Sequence, residues 1–454
     1  MTRPLESLRR PAIVLVSILG LSAFAAATPI SDLQQAVRDR DVPAFLVALG
    51  DLLASGDRRA VRSGIDAYVA LAESLMERAE TWPDFQQLHG KAASAFAKST
   101  DKESIREFER IRRSSRGDWL ARVLVLDVAA FNSGLDLETA CLEALDDKAP
   151  QVVRRSLHYL RNTKKIPIVE RIVARFVELE DRYGKKDDRE WSRTLLAFQS
   201  SLMQLLHVDL PAAIDWRNYV ESRKARDDFF TPKEASGRGR TEVTLFGAAV
   251  TGKNIVFVLD ISGSMLTTDP LPRGSSTTGR GRTVVGDPAE PEGPPAPPEE
   301  RRRITRAKKE LVRVVESLPR DVRFNLIAYS SDVKPWRKTL VAAAAKQREE
   351  ASAWINGLEA DGITVTDLAL EDAFSDLDVD TIYLVTDGAP THIGTSGPGL
   401  PEDSLALIRG IHERVDQLNF LREVRIFSLG FRGAKEDFLQ RLSRDNGGRY
   451  VAIE

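Results

Sequence analysis

The strongest constraint on the fold begins at Asn254, where short β-rich runs alternate with amphipathic helical patterns. The runs are NIVFVLD, RFNLIAYS, TIYLVTDG, VRIFSLG and RYVAIE. Between them lie RITRAKKELVRVVESL, AAAAKQREEASAWINGL, TDLALEDAF, EDSLALIRGIHERVDQL and KEDFLQRLSRD, with apolar residues at three- and four-residue spacing. This alternation predicts an α/β unit, a Rossmann-like doubly wound and mostly parallel sheet with helices on both faces. IVFVL and IYLV are apolar throughout, as strands buried on both faces require. Upstream, VTLFGAAV, TGK and NIVFVLD read as strand, turn, strand, a hairpin leading into the sheet.

Ligands of such sheets sit at the carboxyl ends of the strands, where the strand order reverses. The run NIVFVL delivers Asp260, Ser262 and Ser264 there, and TIYLV delivers Asp387. The loop DGITVTDLAL offers Thr364 just ahead of a helix. These are two carboxylates and three hydroxyls with no histidine or cysteine among them, a set suited to a hard divalent cation and not to zinc or copper. Mg²⁺ heads the candidates, with Mn²⁺ and Ca²⁺ as alternatives. Alternate spacing lets Ser262 and Ser264 turn toward one point, and Gly263 permits a tight path. Strand-end Asp, Ser and Gly also serve as helix caps and turns; Thr364 and Asp387, arriving in the right order, weigh against that plainer role. No Ser-His-Asp or Cys-His arrangement is legible. His392 follows the Asp387 loop, and a loop histidine is more often solvated than catalytic, so the expectation is a non-enzyme.

Asp260-Ile261-Ser262-Gly263-Ser264-Met265 resembles the D-x-S-x-S motif of von Willebrand factor A domains, in the form DxSGSM. The likeness covers about 243–454. It implies a metal-ion-dependent adhesion site in which Ser262, Ser264 and Thr364 bind the ion directly and Asp260 and Asp387 act through water. Thr364 is carried over because Gly362-Ile363-Thr364 is followed by Ala369-Leu370 at the family's spacing, and Asp387 because it stands in the TDG motif. The resemblance further implies capture of a partner protein whose Glu or Asp completes the coordination. Two features depart from the pattern: Ile363 stands where a second glycine is usual, and a Pro-, Gly-, Ser- and Thr-rich insertion of disordered-looking composition occupies 267–302.

From 28 to 220 the pattern is helical. LETACLEAL, a break at DDKAPQVV and RRSLHYL make a helix-turn-helix, with Pro167 opening a third helix. With Asp147, Pro150, Val153 and Arg154 at its turn, this resembles a HEAT repeat, echoed at Asp57, Val61 and Arg62. A HEAT-like solenoid and an irregular all-α bundle both fit, because the period is not strictly kept. A charged, turn-rich linker spans 221–242.

The first residues carry Arg3, Arg9 and Arg10, then the uncharged AIVLVSILGLSAFAAA with small residues at its end. This reads as a signal peptide over 1–27, which places the mature chain in a secreted or periplasmic compartment. The competing reading is an uncleaved membrane anchor. No later segment is apolar enough to span a bilayer. The single cysteine, Cys141, excludes an internal disulfide, and a net charge of -2 argues against nucleic acid. The expected function is therefore metal-dependent binding of a protein partner through its acidic residue. The alternative is a structural envelope component whose metal only stabilises the domain.

Overall fold

The computed structural model describes residues 28–114, 117–186, 188–210, 212–231, 243–269, 299–391 and 401–454. The expected signal peptide, most of the insertion and His392 lie outside them. No helix among the described residues is long and apolar enough to cross a membrane.

The amino-terminal region is all helix: α1 (Pro29–Asp39), α2 (Val42–Ala54), α3 (Ala60–Leu75), α4 (Trp82–Phe96), α5 (Lys102–Arg112), α6 (Trp119–Ala129), α7 (Leu137–Ala144), α8 (Pro150–Leu160), α9 (Ile166–Tyr183), α10 (Arg189–Leu206) and α11 (Ala213–Arg223). Asp41, Asp101, Asp118, Asp136 and Asp188 cap helices by accepting backbone N–H bonds, which satisfies donors that a helix start leaves unpaired. α6 is buried from Leu120 to Ala129 and packs against α3, α4, α5, α7 and α8.

The helix-turn-helix read around Pro150 is α7 and α8, and its polar turn residues tie successive helices together. Asp147 takes two bonds from the buried Arg122 of α6, at 2.7 and 3.0 Å, and caps Ala149 N–H at 2.7 Å. Arg154 reaches forward to Glu190 at 2.8 Å and Thr194 at 3.1 Å on α10. The Asp-Pro-Val-Arg pattern thus links helices on both sides of the turn.

The carboxyl-terminal region holds β1 (Thr244–Leu245), β2 (Ala248–Ala249), β3 (Asn254–Asp260), β4 (Arg323–Tyr329), β5 (Val333–Pro335), β6 (Val341–Ala342), β7 (Thr381–Thr386), β8 (Arg425–Phe431) and β9 (Tyr450–Ile453). Its helices are α12 (Arg303–Ser317), α13 (Ala345–Asn356), α14 (Thr366–Ser375), α15 (Pro401–Asn419) and α16 (Glu436–Asp445). The main sheet has seven strands in the order β5-β4-β3-β7-β8-β9, with β6 also paired to β4. β4, β3, β7, β8 and β9 run parallel. The doubly wound expectation holds.

The two-residue period of the strands splits the core cleanly. Ile255, Phe257 and Leu259 lie in one cluster with Leu311, Val314 and Ile355 from α12 and α13. Val256 and Val258 lie in the other, with Leu370, Phe374, Ile411 and Leu439 from α14, α15 and α16. Both faces are covered, which is why the strands read as unbroken apolar runs.

The upstream hairpin differs from expectation. The turn is not at TGK: β1 pairs with β2, and the reversal falls at Phe246-Gly247, with φ 48° and 81°. Left-handed backbone at both central residues is what a tight two-residue hairpin needs. The run from Asn254 then enters the parallel sheet on its own.

The helical region docks on the amino ends of β7 and β8. Arg193 donates to Leu377 O at 2.6 Å and Val379 O at 2.8 Å, and Arg189 pairs with Asp378. Phe420 enters the helical core, 4.8 Å from the His89 ring and 5.6 Å from Phe85, while Trp82 Nε1 donates to its carbonyl at 2.9 Å. The carboxyl ends of the strands, at the opposite edge of the sheet, remain clear of this interface.

Candidate metal centre

β3 lies between β4 on one side and β7 on the other. The chain reverses its winding here, so a crevice opens between the carboxyl ends of β3 and β7. Leu259 is level with Val385, which brings the next residues, Asp260 and Thr386, side by side. Thr386 Oγ1 donates to Asp260 Oδ2 at 2.6 Å, and Ser262 N–H donates to Oδ1 at 2.8 Å. Asp260 is wholly buried, and that desolvation pushes its carboxyl up to about 6 in spite of these donors.

Beyond Ile261 the chain makes a single tight helical turn, Gly263–Leu266. Two backbone bonds lock this turn to the facing loop: Gly263 N–H to Gly362 O at 3.0 Å and Asp361 N–H to Ile261 O at 2.9 Å. Gly362 has φ +81°, and a Cβ there would lie 2.4 Å from Ser331 Oγ, so this position needs glycine. Ile363 next to it does not: its side chain is 40% exposed. The departure from the family pattern is therefore accommodated by turning the isoleucine outward.

The five expected site residues come together. Ser262 Oγ and Ser264 Oγ are 3.1 Å apart, and Ser264 Oγ donates to Asp387 Oδ1 at 2.6 Å. Thr364 is fixed by Thr391, whose Oγ1 accepts the Thr364 N–H at 2.8 Å and whose own N–H reaches Thr364 O at 2.7 Å. A Cβ placed on Gly388 would lie 3.6 Å from Thr364 Oγ1 and 3.9 Å from Ser264 Oγ. These two hydroxyls therefore both lie beside Gly388. Ser262, Thr364 and Asp387 are buried and Ser264 is exposed, so the cradle has one outward side.

The donor set is oxygen only, which fits Mg²⁺, Mn²⁺ or Ca²⁺. No group of three or more His, Cys, Asp and Glu side chains stands ready for a metal among the described residues. The fit thus rests on hydroxyls backed by two carboxylates and not on a carboxylate cage.

Sequence reasoning missed one charged member. Arg303, at the start of α12, donates from Nη1 to Asp387 Oδ2 at 2.7 Å. Its Nε reaches Asp269 Oδ1 at 3.0 Å and its Nη2 reaches Arg432 O at 2.6 Å. Thr386, Gly388 and Thr391 were not singled out either, although as neighbours of Asp387 in VTDGAPT they were open to view. Arg303 was not, because it follows two other arginines and nothing local marks it out.

Residues 299–452 match the family model for the von Willebrand factor type A domain. The match starts at Glu299, beyond β3 and its Asp-x-Ser-x-Ser motif. Human inter-alpha-trypsin inhibitor heavy chain H4 is 28% identical over 216 residues, 44% of this chain and 18% of its own length. Human von Willebrand factor A domain-containing protein 3A is 31% identical over 130 residues, 28% of this chain and 10% of its own. This chain therefore spans only a small part of the curated relatives it matches. Among solved structures, a von Willebrand factor type A protein from Catenulispora acidiphila aligns over 46% of this chain and 40% of that one, at TM-score 0.31 and 17% identity.

Proposed function

We propose that the carboxyl-terminal region is a non-catalytic, metal-dependent binding module of a secreted or periplasmic protein. Ser262, Ser264 and Thr364 would hold a divalent cation, Mg²⁺ foremost, with Asp260 and Asp387 behind them. The ion would supply a Lewis-acidic point for a carboxylate of a partner protein. The observation that carries the reading is that the Ser264 and Thr364 hydroxyls both lie beside Gly388, with Ser264 hydrogen-bonded to Asp387 and 3.1 Å from Ser262 Oγ.

Two further features favour a protein partner. Leu266, Ile363 and Leu368 are 47%, 40% and 37% exposed; the first two lie in the loops that form the cradle and the third in the helix that follows Thr364. Large apolar side chains around a polar centre suit burial under a partner surface. The helical region sits at the other end of the strands, so it leaves this face accessible and offers a second surface of its own.

The deciding experiment is a pull-down with the mature chain in Mg²⁺ and in EDTA, alongside Asp260→Ala. A partner retained equally in all three would refute the mechanism. Metal-dependent stability with no partner captured would favour a structural envelope role instead.

A further inference from the structure

We infer that Arg303 is the resident cation of the cradle, a positioning residue that balances Asp387 and sets how tightly the site takes a divalent ion. This rests on the proposed reading of the cradle as a metal site.

Both oxygens of Asp387 already have donors, Ser264 Oγ on Oδ1 and Arg303 Nη1 on Oδ2. The two donors differ in kind. A serine hydroxyl that donates to a carboxylate keeps lone pairs to offer a cation. A guanidinium has none to offer, cannot lose its proton, and competes with any cation for the charge of Asp387. The Asp387 side chain is fully buried and that of Arg303 is 11% exposed, so water screens this pair weakly.

Arg303 is held in place by more than Asp387. Asp269, itself buried, takes Arg303 Nε and also pairs with Arg306. Backbone bonds join the same two stretches: Arg303 N–H reaches Thr267 O at 3.1 Å, Asp269 N–H reaches Arg301 O at 3.3 Å, and Thr268 bridges to Arg302. The arginine is thus fixed where the chain leaves the serine motif and where it returns to begin α12. Its charge is a built part of the cradle.

The consequence is a weaker but hungrier site. With Arg303 present, the cradle offers a divalent ion one unit less of negative charge. An ion bound there stays underneutralised and retains more attraction for an outside carboxylate.

The test is titration calorimetry of the full mature chain with Mg²⁺ and separately Mn²⁺, together with melting in EDTA. Arg303→Gln removes the charge and keeps a donor. It should bind both ions at least about tenfold more tightly, since a unit charge about 6 Å from a divalent ion is worth roughly a factor of ten even at the dielectric of bulk water. It should also melt at a lower temperature than the wild type in EDTA, with the loss restored by Mg²⁺. Loss of packing alone would not tighten metal binding. Wild-type binding with an equal or weaker Kd in Arg303→Gln would overturn the inference and leave the metal site standing. No binding of either ion by either protein would overturn the metal reading itself, and the inference with it. Should Arg303→Gln not fold even with Mg²⁺, Arg303→Lys decides. Because it keeps the charge, it should bind within about threefold of the wild type. Tenfold tighter binding by that variant would refute the role of charge.

Discussion

Gly388→Ala separates the cradle from the fold. Gly388 is not in the left-handed region of backbone space, so alanine can adopt its conformation. The new methyl would meet Thr364 Oγ1 at 3.6 Å and Ser264 Oγ at 3.9 Å, both ordinary contacts that require no shift. In EDTA the variant should be as stable as the wild type, or more stable by about 0.4–1 kcal/mol through a less flexible unfolded chain. Metal binding should fare differently. A Mg²⁺ ion sits about 2.1 Å from its oxygen ligands, and a methyl 3.6 Å and 3.9 Å from the Thr364 and Ser264 hydroxyls would crowd an ion held on its side of them. At ten times its Kd the ion stabilises the wild type by about 1.4 kcal/mol. Over a folding unit of roughly 200 residues this is a rise of about 3 °C in Tm. That rise should vanish in Gly388→Ala. The assay is thermal melting of both proteins in EDTA and across a Mg²⁺ series. A variant that keeps the wild-type Mg²⁺ response would refute the placement of the cation. One that loses more than about 1 kcal/mol in EDTA would refute the steric argument, since the contacts it predicts are unstrained.

Other outcomes follow from the same geometry. Ser262→Ala with Ser264→Ala should abolish Mg²⁺-dependent stabilisation while the far-ultraviolet circular dichroism stays unchanged. Gly448→Ala should destabilise by at least about 2 kcal/mol in urea melts, because its Cβ would fall 2.0 Å from Ile426 O. Arg193→Ala should cost about 3 kcal/mol by removing charged donors to two carbonyls, and it should speed hydrogen exchange around Leu377 and Val379. Burial alone would raise the Asp127 carboxyl, but Arg155 and His89 hold it well below the usual range. A lowered carboxyl contributes stability that is full above its unfolded value, near pH 4, and is lost as pH falls further. Urea melts from pH 7 to pH 3 should therefore show a smaller acid loss in Asp127→Asn, from a starting stability lowered by about 3–5 kcal/mol because Arg155 is left unpaired.

The sequence made the sheet legible because burial on both faces leaves an unmistakable mark. IVFVL and IYLV can be little else, and the residues that end them had to be at the carboxyl edge. Asp260, Ser262, Ser264 and Asp387 were readable for that reason, and Thr364 through its loop. What escaped were features decided by tertiary context. β5 and β6 are short and half exposed, with Pro335 and Lys334 in an edge strand, so no apolar period announces them. The left-handed backbone at Phe246 hid the true turn, since only Gly247 carries a turn signal. Arg303 owes its role to where α12 begins relative to Asp387, and no spacing rule reaches across the intervening residues.

The docking of the helical region follows from the same helix that carries Thr366. α14 has ten residues, about 15 Å at the rise of an α-helix. Its amino end adjoins the Thr364 loop, where Val365 N–H is held by Ser330 O at 3.1 Å. At its other end the chain exposes carbonyls that no helical N–H can satisfy. Arg422 takes Phe374 O at 2.7 Å and Asp376 O at 2.9 Å, and Arg193 takes Leu377 O and Val379 O. Burial lowers the Arg422 and Arg193 guanidinium groups to about 9 and about 10, so both stay charged at neutral pH, and Arg422 suits the negative end of the α14 dipole. Arg422 belongs to the sheet region and Arg193 to α10 of the helical region. Leu421 and Glu423, beside Arg422, hold left-handed backbone with φ 58° and 54°, and Leu421 packs into the helical core. Two strained residues, two buried arginines and an inserted phenylalanine are a costly set to assemble at a mere spacer contact. They hold the end of α14 remote from the cradle, so the helical region and the Thr364 loop lie at opposite ends of one helix and the open face stays free.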